Sequence, residues 1–212
     1  MIAMAEEKVW FYSGGLRLEG LLQKSPGDRG VVLCHPHPLY GGEMHNNVVQ
    51  ALAEAYQERN YCTLRFNFRG VGSSEGAFDE GRGEQEDVRA ALEFLSGLGM
   101  KHMDLAGYSF GAWVIAMGLE KLPLADRVIM VSPPVSFIDF GFLGYNEKIQ
   151  MVIVGTQDEI ADSKAVEKML PQWNPEAAFH SIEGADHFYG GKTGELKRII
   201  HGFFDHEQSC SQ

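Results

Sequence analysis

The chain of 212 residues contains little cysteine. Its three cysteines, Cys34, Cys62 and Cys210, do not form the even set that a disulfide framework needs. Cys34 and Cys62 lie in apolar runs, where a cysteine behaves as a small buried hydrophobe. We therefore expect a reducing, cytoplasmic location for this protein.

Positive charge is also scarce. Lys and Arg together number 18 against 29 for Asp and Glu, which gives a formal net charge of −11. A chain this acidic repels phosphate backbones, and it has no basic cluster that would hold an anionic membrane surface. We therefore predict no nucleic-acid partner and no membrane partner.

Long hydrophobic runs are missing too. No apolar stretch reaches the roughly 18 residues that a membrane helix requires. The segment 1–10 contains Glu6, Glu7 and Lys8 and has no apolar core, so it is unlike a secretory signal. Hydrophobic residues still make up 44% of the chain, which is enough for a packed core. We expect a single domain over residues 1–212, as a monomer or a homodimer.

Short apolar runs alternate with helical patterns along most of the chain. Two segments around Gly14-Gly15 predict a hairpin, and six later runs are typical of strands covered on both faces. Apolar residues at helical spacing separate several of these runs. The predicted strands are 8–13, 16–24, 30–34, 61–68, 103–108, 127–132, 148–155 and 177–182, and the helical patterns lie in 45–56, 88–98 and 196–204. The order predicts an α/β fold with about eight strands, mostly parallel, and helices on both faces.

One motif has the spacing of a serine nucleophile. Gly107-Tyr108-Ser109-Phe110-Gly111 matches G-x-S-x-G, directly after a predicted strand and before the helix-compatible run 112–119. Small residues on either side let the chain make the sharp turn that exposes the serine. A second match contains Ser74, but it lies in a glycine-rich stretch, 70–83, with no immediate helix. We therefore predict Ser109 as the nucleophile and a structural turn at Ser74.

A serine hydroxyl needs a base, and the base needs a third group to orient it. Asp158 follows one predicted strand and His187 follows the last one. The order Ser109, Asp158, His187 is that of the α/β-hydrolase triad, with all three at the carboxyl ends of strands. Asp162 is predicted to cap the following helix, and Asp186 adjoins His187 too closely to orient its ring.

Two backbone N–H groups are expected to form an oxyanion hole. One belongs to Phe110, the residue after the nucleophile, and the other comes from the loop after the strand 30–34. Pro38 in that loop has no N–H, which leaves His37, Leu39 and Tyr40 as candidates. We assign the second donor to Leu39 or Tyr40, with His37 open as well.

These motifs resemble those of the α/β-hydrolase superfamily, and most of all its small lidless bacterial esterase branch near the dienelactone hydrolases. The resemblance covers nearly the whole chain and rests on the segments 35–42, 65–74, 107–111, 155–158 and 186–188. It implies one α/β-hydrolase domain with an eight-stranded sheet, a minimal or absent cap, and serine-type acyl hydrolysis. Dienelactone hydrolases carry cysteine where this chain has Ser109, so the resemblance does not extend to their substrate.

The aromatic segment 133–147 is too short for a lid domain. Its Phe137, together with Leu39, Tyr40, Phe110 and Phe188, is predicted to form an apolar substrate wall, although packing into the core is an equal alternative for the segment's aromatics. We expect a carboxylesterase that acts on small short-chain acyl esters through an acyl-enzyme. A thioesterase, a lactone hydrolase and a non-catalytic binding module remain alternatives.

No cofactor and no metal are predicted. His35 and His37 form an H-x-H pair, but the loop offers no carboxylate before Glu43 and both histidines precede proline. We expect His35 to make hydrogen bonds that shape the loop. Gly70 and Gly72 follow a predicted strand, but Glu75 takes the place of the next glycine that a dinucleotide site requires.

Overall fold

A computed structural model describes residues 5–210, with the backbone alone for residues 206–210. The described chain forms one eight-stranded sheet in the spatial order β1-β2-β4-β3-β5-β6-β7-β8. The strands are β1 Glu7–Ser13, β2 Leu16–Gln23, β3 Arg29–Cys34, β4 Cys62–Phe66, β5 His102–Tyr108, β6 Arg127–Val131, β7 Ile149–Gly155 and β8 Ala178–Ile182. The predicted fold class is confirmed, and each predicted strand is found within two residues of its expected bounds.

The sheet is antiparallel at one edge and parallel elsewhere. Gly14 and Gly15 make the turn between β1 and β2 with φ angles of 55° and 89°, which residues with a side chain rarely adopt. Strand β2 also runs antiparallel to β4, whereas the pairs from β4 and β3 through to β8 are all parallel. The carboxyl ends of the parallel strands therefore meet at one edge of the sheet.

Helices cover both faces of this sheet. One face carries α1 (Asn47–Gln57) and α5 (Thr193–Cys210), and the other carries α2 (Arg82–Gly97), α3 (Phe110–Gly118) and α4 (Ser163–Trp173). Each face has its own apolar core, because alternate side chains of a strand point to opposite sides. Cys34 and Cys62 are buried, as expected.

Helix α2 begins six residues before the first apolar position that predicted it. The N–H of Gly81 donates to the Glu84 side chain at 2.8 Å, and Gly81 has a φ of 83°. This capping contact starts the helix at Arg82, inside the stretch 70–83 that the sequence assigned to a loop. The helix cap is made by a glycine in the left-handed region rather than by a serine or an aspartate, so the usual signal is missing.

None of the described helices is both long enough and apolar enough to cross a membrane. The expectation for the segment 1–10 falls partly outside the described residues, because residues 1–4 are not among them. The side chain of Cys210 also lies outside them. The cytoplasmic location, the single domain over residues 1–212 and the oligomeric state stay predictions.

Candidate active site

Ser109 lies in the tight turn between β5 and α3. Its φ and ψ angles are 53° and −116°, a strained conformation for a residue with a side chain. A Cβ atom on Gly107 would approach the N atom of Ala112 to 2.6 Å, and one on Gly111 would approach the carbonyl O of Cys34 to 2.4 Å. Both neighbouring glycines are therefore required by the close approach of backbone atoms.

Ser74 occupies a different environment. Its hydroxyl donates to the carbonyl O of Asn67 at 2.7 Å and accepts from the N–H of Glu19 at 3.0 Å. The side chain is buried and joins the loop after β4 to strand β2. This second match to the motif therefore forms a structural turn.

The three predicted residues of the triad lie in direct contact. The Oγ atom of Ser109 is 2.9 Å from Nε2 of His187. The Nδ1 atom of His187 lies 2.9 Å and 3.0 Å from the two carboxylate oxygens of Asp158. All three residues are buried and follow the carboxyl ends of β5, β7 and β8. The arrangement is that of a nucleophile, a base and the group that orients the base.

The carboxylate of Asp158 is held in its charged form. Burial raises its pKa, but the hydrogen bonds and charge attraction of His187 and the N–H of Ala161 outweigh this and lower the pKa overall. One carboxylate oxygen accepts from the N–H groups of Ile160 at 2.9 Å and Ala161 at 2.7 Å. Asp162 caps α4 through the N–H of Ala165, as predicted. The carboxylate of Asp158 is therefore held by the His187 ring and by the backbone N–H groups of Ile160 and Ala161.

Two residues that sequence reasoning missed hold the loop of His187. The hydroxyl of Tyr108 donates to the carbonyl O of His187 at 2.6 Å, and the side-chain amide of Asn47 donates to the carbonyl O of Phe188 at 2.9 Å. Asp186 accepts from the N–H of Phe188 at 3.0 Å and belongs to the same turn. Tyr108 occupies a variable position of the motif, so no sequence signal pointed to it.

The loop after β3 contains the candidates for the second oxyanion donor. The N–H of Leu39 donates to Nδ1 of His37 at 3.2 Å, and the N–H of Tyr40 donates to the carbonyl O of His37 at 3.1 Å. The turn over Pro38–Tyr40 uses both groups, which counts against the assignment to Leu39 or Tyr40. In the described part of the chain, the N–H of His37 donates to no acceptor. His37 is thus the remaining candidate beside Phe110, whose N–H lies in the first turn of α3.

The buried side chain of His35 holds this loop in place through two hydrogen bonds. Its Nε2 accepts from the N–H of Phe68 at 3.1 Å, which leaves the proton on Nδ1 to bind the carbonyl O of Pro36 at 2.6 Å. Burial lowers the pKa of His35 to about 4. Both ring nitrogens are used within the protein, as expected for a residue that shapes the loop.

A cavity of about 620 Å³ opens onto Ser109 and His187. Four of the predicted wall residues line it, namely Tyr40, Phe110, Phe137 and Phe188. The prediction for Leu39 is wrong, because its side chain points to solvent outside this lining. Sequence reasoning missed further lining residues, among them Asn46, Ile138 and Ile160.

The segment 133–147 serves both the core and the cavity. Phe140 is buried against Trp173, at 5.5 Å between ring centroids, whereas Phe137 lines the cavity. The segment contains no helix, so it forms no helical lid. Both sequence readings of these aromatics therefore apply, each to a different ring.

The sheet order and the serine, histidine and aspartate at its carboxyl edge define an α/β hydrolase of the serine type. The model of the alpha/beta hydrolase family matches residues 31–191. This chain belongs to that family.

Similar proteins agree with this assignment. An uncharacterized protein of Rickettsia prowazekii (strain Madrid E) is 33% identical over 208 residues, which cover 92% of this chain and 87% of that protein. A solved structure of unknown function from Agrobacterium tumefaciens, described as a candidate α/β hydrolase, is 33% identical with a TM-score of 0.88, covering 96% of this chain and 97% of its own. An α/β serine hydrolase without a lid, from Xanthomonas campestris, is 30% identical with a TM-score of 0.82, covering 93% of both chains.

Proposed function

We propose that this protein is a serine carboxylesterase that hydrolyses small short-chain acyl esters through an acyl-enzyme. The observation that carries the proposal is the buried contact of Ser109, His187 and Asp158 at the floor of an open, mostly apolar cavity. The family and the lidless relative from Xanthomonas campestris support hydrolase chemistry of this kind.

In the acylation step, neutral His187 takes the proton of the Ser109 hydroxyl at Nε2 while Oγ attacks the ester carbonyl. The negative charge on the carbonyl oxygen is stabilised by the N–H of Phe110 and, in our assignment, the N–H of His37. The C–O bond of the ester then breaks, and the alcohol leaves with the proton from Nε2. Asp158 accepts from Nδ1 throughout and stabilises the imidazolium.

In the deacylation step, His187 takes a proton from water, and the resulting hydroxide attacks the acyl carbonyl on Ser109. The acid leaves, and the proton returns to Oγ of Ser109. The acyl chain must lie in a cavity of about 620 Å³ that is open to solvent. Each buried methylene contributes only about 0.8 kcal/mol, so a chain that extends beyond the cavity gains little. We therefore expect a preference for acyl chains of roughly two to six carbons.

A panel of p-nitrophenyl esters from acetate to palmitate tests this proposal. We expect the highest kcat/KM on the short esters. We also expect a fluorophosphonate probe to label the wild-type protein at Ser109 and not to label the Ser109→Ala variant. Thioester and lactone substrates of matched acyl length are run in parallel. Highest kcat/KM on palmitate would contradict the short-chain preference, and a failure of the probe to label Ser109 would favour a binding module instead.

A further inference from the structure

Three exposed aromatic side chains surround the cavity above Ser109. Tyr40, Phe137 and Phe188 are 87%, 74% and 66% exposed, and all three line the cavity. They come from the loops after β3, β6 and β8, so three separate segments of the chain supply them. Large apolar groups that remain exposed around one concave site are typical of a surface that binds a ligand.

The faces of these rings have few partners in the protein. The ring of Tyr40 contacts the ring of His37, with 4.9 Å between their centroids. The ring of Phe188 contacts the ring of His187, with 5.7 Å between their centroids. Within the described part of the chain, Phe137 contacts no other aromatic ring. Phe110 and Ile138 continue the apolar lining. A planar group that enters the cavity can therefore stack on these rings without displacing an existing contact.

We propose that the substrate carries an aromatic ring next to the scissile ester, held between Tyr40, Phe137 and Phe188. This inference rests on the proposed esterase function. Contact between aromatic rings contributes about 0.5–1.5 kcal/mol beyond the burial of area, which is about 2- to 12-fold in kcat/KM for each contact. Simple burial would instead favour a saturated ring of the same size, because it is the more apolar group.

The test compares esters that differ only in the ring. Benzyl acetate is paired with cyclohexylmethyl acetate for the alcohol side, and methyl phenylacetate with methyl cyclohexylacetate for the acyl side. We expect the aromatic ester of at least one pair to have a kcat/KM about 3- to 30-fold higher, since one or two ring contacts form. Equal rates, or a preference for the cyclohexyl esters in both pairs, would overturn the proposal.

Variants of the three rings show which ring causes the preference for aromatic esters. Tyr40→Leu, Phe137→Leu and Phe188→Leu should each lower the aromatic-to-saturated ratio by about 2- to 12-fold for the ring that contributes. The matched control is Tyr145→Leu, which removes an equally exposed ring outside the cavity and should leave the ratio unchanged. A ratio that no cavity variant changes would also overturn the proposal. Hydrolysis of none of the four esters would count against the esterase function itself.

Discussion

Ser109, His187 and Asp158 are each held by groups that do not themselves react. The backbone turn holds Ser109 in its strained conformation, Tyr108 holds the carbonyl of His187, and the N–H groups after Asp158 hold its carboxylate. Preorganised groups of this kind contribute to a reaction because they need not be ordered when it occurs. A substitution at any residue of the triad should therefore leave the fold intact and remove most of the turnover.

We predict that Ser109→Ala and His187→Ala lower kcat by at least about a thousandfold, and that Asp158→Asn does so because it favours the wrong tautomer of His187. The fold should survive, as thermal unfolding would report. The control is Ser74→Ala, which should keep wild-type turnover but lose about 1–3 kcal/mol of stability with its two buried hydrogen bonds. Normal turnover in Ser109→Ala together with loss in Ser74→Ala would reverse the assignment.

His35 makes stability depend on pH. Its pKa is about 4 in the folded protein, below the ordinary value of 6.5, because burial disfavours the charged ring. The unfolded chain therefore binds a proton that the folded protein does not, and stability is lost as the pH falls from 6.5 to 4. The loss amounts to about 3 kcal/mol.

Urea unfolding at pH 7, 5.5 and 4.5 measures this effect. The comparison is with His35→Gln, which keeps an acceptor for the Phe68 N–H but does not titrate. The difference in stability between the two proteins should change across this range, whatever its value at pH 7. A constant difference from pH 7 to 4.5 would mean that His35 does not remain neutral in the folded state.

At the scale of elements, the tight turn between β5 and α3 that carries Ser109, which we call the elbow, depends on how closely α3 approaches β3. We predict that Gly111→Ala destabilises the protein by about 1–3 kcal/mol and lowers kcat, since the added Cβ would meet the backbone carbonyl of Cys34 at 2.4 Å. Gly97→Ala, at the end of α2, has open space around the new Cβ and should be neutral or stabilising by up to about 1 kcal/mol. Urea unfolding and kcat of both variants provide the check, and equal effects would argue against tight packing at the elbow.

The strands and the helices α1 and α5 were predictable because their apolar patterns reflect the faces they bury. The start of α2 was not, since its cap depends on Gly81 and Glu84 rather than on a common capping residue. The donor in the oxyanion loop was not predictable either. It depends on the His37 ring accepting the N–H of Leu39, and sequence spacing carries no information on that bond.

At the scale of the whole molecule, the site is built from strands that are adjacent or nearly so. Ser109, Asp158 and His187 follow β5, β7 and β8, and β6 lies between β5 and β7 in the sheet. The chain order of the triad and its position at the carboxyl edge could be predicted, because parallel strands end at the same edge. The hydrogen bond between Ser132 and Tyr189 could not, since it joins loops that are far apart in sequence.

The open cavity leads to a prediction at the scale of the whole molecule. Because no lid domain covers Ser109 in the described chain, we expect no rise in rate when an ester substrate exceeds its solubility limit. Initial rates on tributyrin measured across that limit should follow simple saturation. A sharp rise in rate at the interface would indicate a closed form of the segment 133–147 that opens on contact with oil.

The elbow packs directly against a residue that carries sulfur. Cys34 is fully buried beneath Gly111, and burial raises the pKa values of Cys34 and Cys62, which keeps both thiols protonated. Peroxides and alkylating agents attack the thiolate, and they need access to it. The two described cysteines should therefore resist both reagents while the protein is folded. A hydrolase that uses a thiol as its nucleophile would be inactivated by such treatment, whereas the oxygen nucleophile proposed for this protein would continue to turn over.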